Sequence, residues 1–550
     1  MPPSQGMGSL RARAKAERRI VQPARGPAAW RVLVHSRGKT GQVSPTPVKH
    51  SPISYVAALL MLLPPLACRA EEDAYVPGPD SLPQAGVPQG ELIKFDFSQS
   101  KVFPGTTRQV TVYVPRQYDP ARPACVYVDQ DGVQWKAPTV LDNLIARGEI
   151  PVMVGVFVTP GVVPARGPAT ELARYNRSFE YDGLGDGYAR LILDEVLPAV
   201  EARVTADGRP IHLSHSGNDR AIAGGSSGGI AAFNAAWEHP EDFSRVISSV
   251  GTFIGLRGAD RFPILVRKYE PKPIRVFLQD GSHDLNIYAG DWWMANQTME
   301  RALTFAGYEV NHAWGDGSHN GKHITSVLPD ALRWAWRGWP MPVQAGHSQN
   351  GALKALLVDG EGWKASEGPF VFYRPGRVVG HDGNTYSAEG HDVWLTPKSG
   401  PRQRVDTGLS AATAAILSPD QSLLYVADAD THWIYSYQVS PDGTLGYKQR
   451  YFWLHTDDLD DQSHAAAMCC DRSGWLYVST GLGIQVCDQA GRVNAILPVP
   501  GGIAAAVRFT GPDHNLLTVA VLGHPCYTRR LNTVGVDPAE APVLPPVPHL

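Results

Sequence analysis

Ala221-Ile-Ala-Gly-Gly-Ser-Ser-Gly-Gly-Ile-Ala-Ala-Phe233 decides the fold of the region around it. A short apolar run meets paired glycines, two serines follow, two more glycines come next, and an apolar helical pattern begins. This is the grammar of a strand that turns sharply into a helix. Small residues two before and two after a serine are needed there, because the backbone closes tightly and leaves the hydroxyl exposed at the turn. The first N–H groups of the following helix have no intrahelical acceptor, so they can stabilise an oxyanion at the same spot. An ordinary glycine-rich βα turn or a phosphate-binding loop would share the glycines but has no use for the hydroxyl. The spacing fits twice, with Ser226 between Gly224 and Gly228 or Ser227 between Gly225 and Gly229. Ser226 is preferred as nucleophile. In that register the strand ends one residue earlier, Gly228 and Gly229 fall where the helix packs on the sheet, and Ser227 supplies an oxyanion N–H.

A serine hydroxyl needs a base, and the base needs an orienting acid; after such an elbow they follow in the order Ser, Asp, His at the ends of later strands. The run Ile274-Arg-Val-Phe-Leu278 leads into Gln279-Asp-Gly-Ser-His-Asp284, and the strand from Glu309 to Ala313 leads into Trp314-Gly-Asp-Gly-Ser-His319-Asn-Gly-Lys-His323. Asp284 is the candidate acid and His319 the candidate base. Asp280 and Asp291 compete with Asp284. His312 reads as a packed core histidine, His283 as a cleft lining, and His323 as the start of the last helix, Ile324 to Trp336. A second oxyanion donor is expected from the turn Val128-Asp-Gln-Asp-Gly132-Val-Gln-Trp135, with Gly132 as candidate.

Around this centre, residues 90–340 alternate strand-like and helix-like segments. Thr107 to Val114 alternates polar and apolar residues, whereas Ala124 to Val128 and Val152 to Val158 are continuous apolar runs that suit central parallel strands. Helical patterns cover Tyr188 to Leu197 and Asn296 to Phe305; further strands are expected at 220–223, 246–250, 274–278 and 309–313. The alternation predicts a three-layer α/β sandwich. Beyond a linker at 341–360 the grammar becomes all-β over 361–545. The unit Ser418-Pro-Asp-Gln-Ser-Leu-Leu-Tyr-Val426 recurs at Cys470 to Val478 and Gly511 to Val519, with a degenerate copy at His381 to Tyr386. A spacing of roughly 40 to 50 residues is that of propeller blades, with a β-sandwich as the competing architecture. Cys469 and Cys470 are expected on opposite faces of a strand rather than in a disulfide.

The first 70 of the 550 residues differ from everything after them, carrying 11 basic side chains against one acidic, Glu17. They read as a basic leader followed by an export signal, with the apolar run Ile53 to Leu63 as its h-region, too short to span a bilayer. Leu66-Ala67-Cys68 weakly resembles a bacterial lipobox, which would make Cys68 a lipid attachment site. Residues 71–89 are a second linker. Removal of the first 70 residues would turn a net charge of −3 into −13. This balance gives no reason to expect a nucleic-acid partner. Six cysteines in so long a chain exclude a disulfide scaffold.

The turn Asp131-Gly132 with Trp135, the segment Arg177-Ser-Phe-Glu-Tyr-Asp182 ahead of Glu195-Val-Leu-Pro198, the elbow, and the loop Gly317-Ser-His319 together resemble the enterochelin esterase-like, or esterase D, branch of the α/β-hydrolases. The resemblance implies hydrolysis of carboxylic esters, including the lactone backbone of catecholate siderophores, with the nucleophile carried onto Ser226, the base onto His319 and the acid onto Asp284. Related branches act on acylated sugars and on thioesters, so the substrate class stays between siderophore-type and acylated carbohydrate esters. No cofactor is implied.

Residues 361–545 resemble the regucalcin/gluconolactonase family of six-bladed propellers, in which separate blades hold a divalent cation through glutamate, asparagine and aspartate. Glu367 matches the first ligand segment. Thr413 and Ala466 stand where the other two ligands belong, and alanine cannot coordinate. The length suffices for about four blades. The expectation is therefore a degenerate, shortened propeller without a competent metal site. An exported serine esterase is the leading reading; a metal-dependent sugar lactonase and a non-catalytic ligand-binding protein are its rivals.

Overall fold

The structure is a computed structural model that describes residues 75–168, 170–366, 376–457 and 460–548. The leader, the h-region, Cys68 and Glu367 lie outside the described residues.

An eight-stranded sheet organises the first domain. Its strands are β1 (Glu91–Phe97), β2 (Arg108–Val114), β3 (Cys125–Gln130), β4 (Met153–Val158), β5 (Arg220–Gly225), β6 (Arg245–Ser249), β7 (Arg275–His283) and β8 (Glu309–Ser318). The spatial order is β1-β2-β4-β3-β5-β6-β7-β8; β2 is antiparallel to β1 and β4, and the rest run parallel. Strands β3, β4 and β6 are buried along their whole length, and the apolar runs Cys125 to Val128 in β3 and Met153 to Val158 in β4 fit that burial.

Successive side chains alternate across the sheet and meet different helices. On one face Ile222, Val246 and Val276 pack with Ile230 and Phe233 of α2 (Ser227–Glu238). On the other, Ala221, Ala223, Ile247 and Phe277 pack with Leu141 of α1 (Ala137–Ala146) and Leu328 and Leu332 of α5 (Lys322–Trp336). The first face also takes α3 (Phe262–Lys268) and α4 (Trp292–Phe305). This is the three-layer α/β sandwich expected from the alternation, in the α/β-hydrolase form that the resemblance implies. The helical pattern at 188–197 lies within a continuous helical stretch, 187–201, whose middle turn Leu191–Val196 is a π segment.

Strands β7 and β8 run about five residues further than their apolar runs. Asp280 pairs with Trp314 and Gly281 with Gly315 in the parallel ladder. Glycine makes this extension feasible, since a Cβ at Gly281 would lie 2.1 Å from the Gly317 carbonyl oxygen. The same glycine-rich composition reads as loop in the sequence, so Asp280 proves to be a strand residue.

The described residues of the C-terminal domain form a six-stranded and two four-stranded antiparallel sheets. Each quoted repeat is the turn and second strand of one unit: Leu423–Asp428, Leu476–Thr480 and Leu516–Val521, with Thr385–Thr396 for the degenerate copy. Four units occupy three sheets because Thr385–Thr396 and Gln403–Leu417, 12 and 15 residues long, continue from one unit into the next. Lys364–Ser366 pairs with Cys526–Arg530 and so closes the last sheet with a strand from the domain's start. Cys469 and Cys470 are both free and buried in different apolar clusters.

The two domains dock through the segment after α3. Tyr269 forms a parallel backbone bridge with Ile496, and Glu270 accepts two hydrogen bonds from Arg529 at 2.6 and 2.8 Å. Lys268 Nζ lies 2.8 Å from His455 Nε2. Burial, reinforced by the Lys268 charge, pushes the His455 imidazole down to about 3, so it is neutral in the interface.

Candidate active site

Strand β5 delivers Ser226 at its C-terminal end, and α2 begins at the next residue. Ser226 has φ 57° and ψ −120°, a conformation that is costly for a residue with a side chain and is imposed here by its neighbours. Its N–H donates to the Ser249 carbonyl of β6 at 2.8 Å, and its own carbonyl accepts from Gly229 N at 2.9 Å. A Cβ at Gly224 would stand 2.3 Å from the Gly228 carbonyl oxygen, so the elbow cannot close on a larger residue. Ser227 lies in the first turn of α2 and is buried. Its N–H has no intrahelical acceptor.

His319 follows β8 and Asp284 follows β7. His319 Nε2 is 2.8 Å from Ser226 Oγ, and its Nδ1 is 2.5 Å from Asp284 Oδ1. The Asp284 side chain is fully buried, and that of His319 is 20% exposed, enough for a substrate to reach it. Burial alone would raise the Asp284 pKa, but hydrogen bonds from His319 and Asp280 hold it below the usual carboxylate range. The edge of Trp292, in the first turn of α4, packs against the His319 ring at a centroid distance of 5.3 Å. Ser226, His319 and Asp284 thus form one continuous hydrogen-bonded line.

The competing residues are elsewhere engaged. Asp291 caps α4, accepting from Met294 N at 3.0 Å. His323 is buried in the first turn of α5, 2.9 Å from Gln279 Nε2 and stacked on Tyr75. His283 Nδ1 holds the histidine loop through the Asp316 carbonyl at 2.6 Å. His312 corrects the expectation of a core histidine: it is exposed on the edge strand β8, stacked on Trp314, because the sheet ends there. Gly132 requires a second correction. Its N–H donates to the Val158 carbonyl at 3.2 Å, so the turn after β3 spends this donor on the sheet rather than on an oxyanion.

The segment 177–182 contributes more than its sequence disclosed. Arg177 grips Asp131 with two hydrogen bonds of 2.7 and 2.8 Å and reaches the Gly225 carbonyl at 3.3 Å, tying the β3 turn to the elbow. The segment is itself anchored by Glu180, whose ion pair with Arg108 of β2 is fully buried. Breaking one partner of such a pair is costly because the other charge stays buried. An acidic residue three positions after an arginine is too common a pattern to single out.

Of the three positions the gluconolactonase resemblance points to, Thr413 and Ala466 are among the described residues. The Thr413 hydroxyl donates to the Ala465 carbonyl at 2.5 Å, and Ala466 offers no ligand atom. The one cluster of three potential ligands among the described residues, His239, Glu241 and Asp242, lies at the far end of α2 from Ser226 and is internally ion-paired.

Two family models match separate stretches of the chain. The family described as "Putative esterase" matches residues 100–335, and the SMP-30/gluconolactonase/LRE-like region matches residues 376–522. No curated protein matches the chain. Among solved structures, a ferulic acid esterase is 21% identical, with 45% of this chain and 99% of that one covered and a TM-score of 0.33. The enterobactin esterase of Shigella flexneri is 21% identical over 46% of this chain, at a TM-score of 0.34, and only 61% of its own length is spanned. A feruloyl esterase module of Clostridium thermocellum is 14% identical, covering 48% of this chain and 95% of that one at a TM-score of 0.35.

Proposed function

We propose that this chain, an esterase-family domain followed by a gluconolactonase-like region, is an exported serine esterase acting on siderophore-type or acylated carbohydrate esters. The observation that carries the reading is the unbroken line from Ser226 Oγ through His319 to Asp284 at a strained strand-to-helix turn. Ser226 Oγ–H donates to His319 Nε2, which takes the proton as the oxygen attacks the ester carbonyl. Asp284 accepts from Nδ1–H, fixes the tautomer and stabilises the imidazolium that forms. The Ser227 N–H donates to the oxyanion of the tetrahedral intermediate. Collapse expels the alcohol, protonated by His319, and leaves an acyl group on Ser226. Water, deprotonated by the same imidazole, then releases the acid.

The h-region from Ile53 to Leu63 supports export. A fluorophosphonate probe tests the nucleophile: the expected result is labelling of the wild type and none of Ser226→Ala. Ester hydrolysis that persists in that variant and requires a divalent cation would transfer the activity to the C-terminal region. Assays with short aryl esters, a catecholate siderophore and acylated xylan fragments, run side by side, rank the substrate classes.

A further inference from the structure

The mechanism above leaves a second buried carboxyl beside the triad. Asp280 is fully buried on β7, four residues before Asp284, and the two carboxyl groups act directly on each other. Their remaining atoms are accounted for. Asp280 Oδ1 accepts from Gly281 N at 2.7 Å, and Asp284 Oδ1 accepts from His319 Nδ1 and from Leu285 N, each at 2.5 Å. Oδ2 of Asp280 and Oδ2 of Asp284 are both buried with no donor. Buried acceptors without donors are rare, and two adjacent ionised carboxylates repel. One proton between them removes both costs.

We propose that Asp280 is a positioning residue: a neutral carboxylic acid whose proton is donated to Asp284, which fixes the triad acid toward His319. The inference rests on the esterase reading for its catalytic consequence but not for the proton itself. Burial, and then the hydrogen bond and charge of Asp284, push the Asp280 carboxyl up to about 9. Asp284 is the charged neighbour, with His319 beyond it; Asn296 approaches from α4, and uncharged Trp314 stands opposite on β8. Raising the pH through about 9 removes the shared proton, places two negative charges side by side and drives Asp284 off its alignment.

The test compares the wild type with Asp280→Asn, whose amide still donates but cannot titrate, and Asp280→Ala, which cannot donate. The readout is the rate of fluorophosphonate labelling across the neutral and alkaline range. The wild-type rate is expected to fall through about pH 9. Asp280→Asn should keep the neutral-pH rate and lose that fall, while a folded Asp280→Ala should be slower at neutral pH by about 10- to 100-fold. An alkaline fall unchanged in Asp280→Asn, an inactive folded Asp280→Asn, or a wild-type rate in Asp280→Ala overturns the proposal. A second measurement needs no activity: difference infrared spectra should show a protonated-carboxyl band at neutral pH that is absent from Asp280→Asn, and its absence from the wild type also overturns the proposal. Failure of the wild type to label, with that band present, sinks the esterase reading alone.

Discussion

The two domains place polar side chains under opposite constraints. At the β5–α2 elbow a strained backbone and glycines that admit no Cβ present one hydroxyl, and two side chains from two other strand ends line up behind it. At Thr413 and Ala466 the backbone takes no positive φ, and the one hydroxyl present is satisfied by the Ala465 carbonyl. Strain and incomplete local satisfaction mark a place kept for chemistry, whereas relaxed, self-satisfied geometry marks a place that serves the fold. Under the proposed function, the comparison predicts catalysis at the elbow and none at Thr413 and Ala466.

It breaks most readily at the nucleophile. Ser226→Ala should lower kcat/KM by about 10⁴-fold or more, and Asp284→Asn by about 10⁴-fold through the wrong histidine tautomer, both measured with an aryl ester. Equal losses from Thr413→Ala would erase the distinction between the domains. Arg529→Ala tests the support. It removes a nearly buried cation from the partly exposed Glu270, so with solvent screening the expected loss is about 1–2 kcal/mol in chemical denaturation. Ser226→Gly sharpens the strain argument. Released from φ 57°, the inactive variant should gain up to about 1 kcal/mol of stability, less than the full strain because glycine costs backbone entropy. The smallest expected effect is that of a chelator, which should leave ester hydrolysis unchanged, as a steady-state assay with and without it would read.

The pH dependence of stability carries its own sign. The folded chain holds a proton on Asp280 that the unfolded chain releases above the ordinary carboxyl value of 3.8, so this group's contribution falls as pH rises from there to about 9. Asp280→Asn should flatten that slope in melting temperature against pH.

What could be read from the sequence was whatever chemistry demands locally. The elbow was legible because the turn tolerates only small residues around a serine, and Asp284 and His319 because their order after the elbow is constrained. The strand extension through Asp280 was hidden by glycines that serve loops and close strand contacts alike. The fate of the Gly132 N–H depends on Val158, a partner from another strand, and the anchoring of Arg177 depends on a buried pair 72 residues apart in sequence. The fusion of two propeller units into one sheet follows from strand length, which a repeat spacing does not report.

The bridge from Tyr269 to Ile496 links melting in one domain to Ser226 in the other. Tyr269 packs edge-on against Trp237 at 5.0 Å, and Trp237 belongs to the helix whose first turn follows Ser226. Opening of the strand Val493–Leu497 therefore exposes the floor beneath that helix. In a calorimeter the two cores should absorb heat in a single cooperative transition, and a protease that nicks the propeller should silence the esterase even though it cuts nothing near the triad.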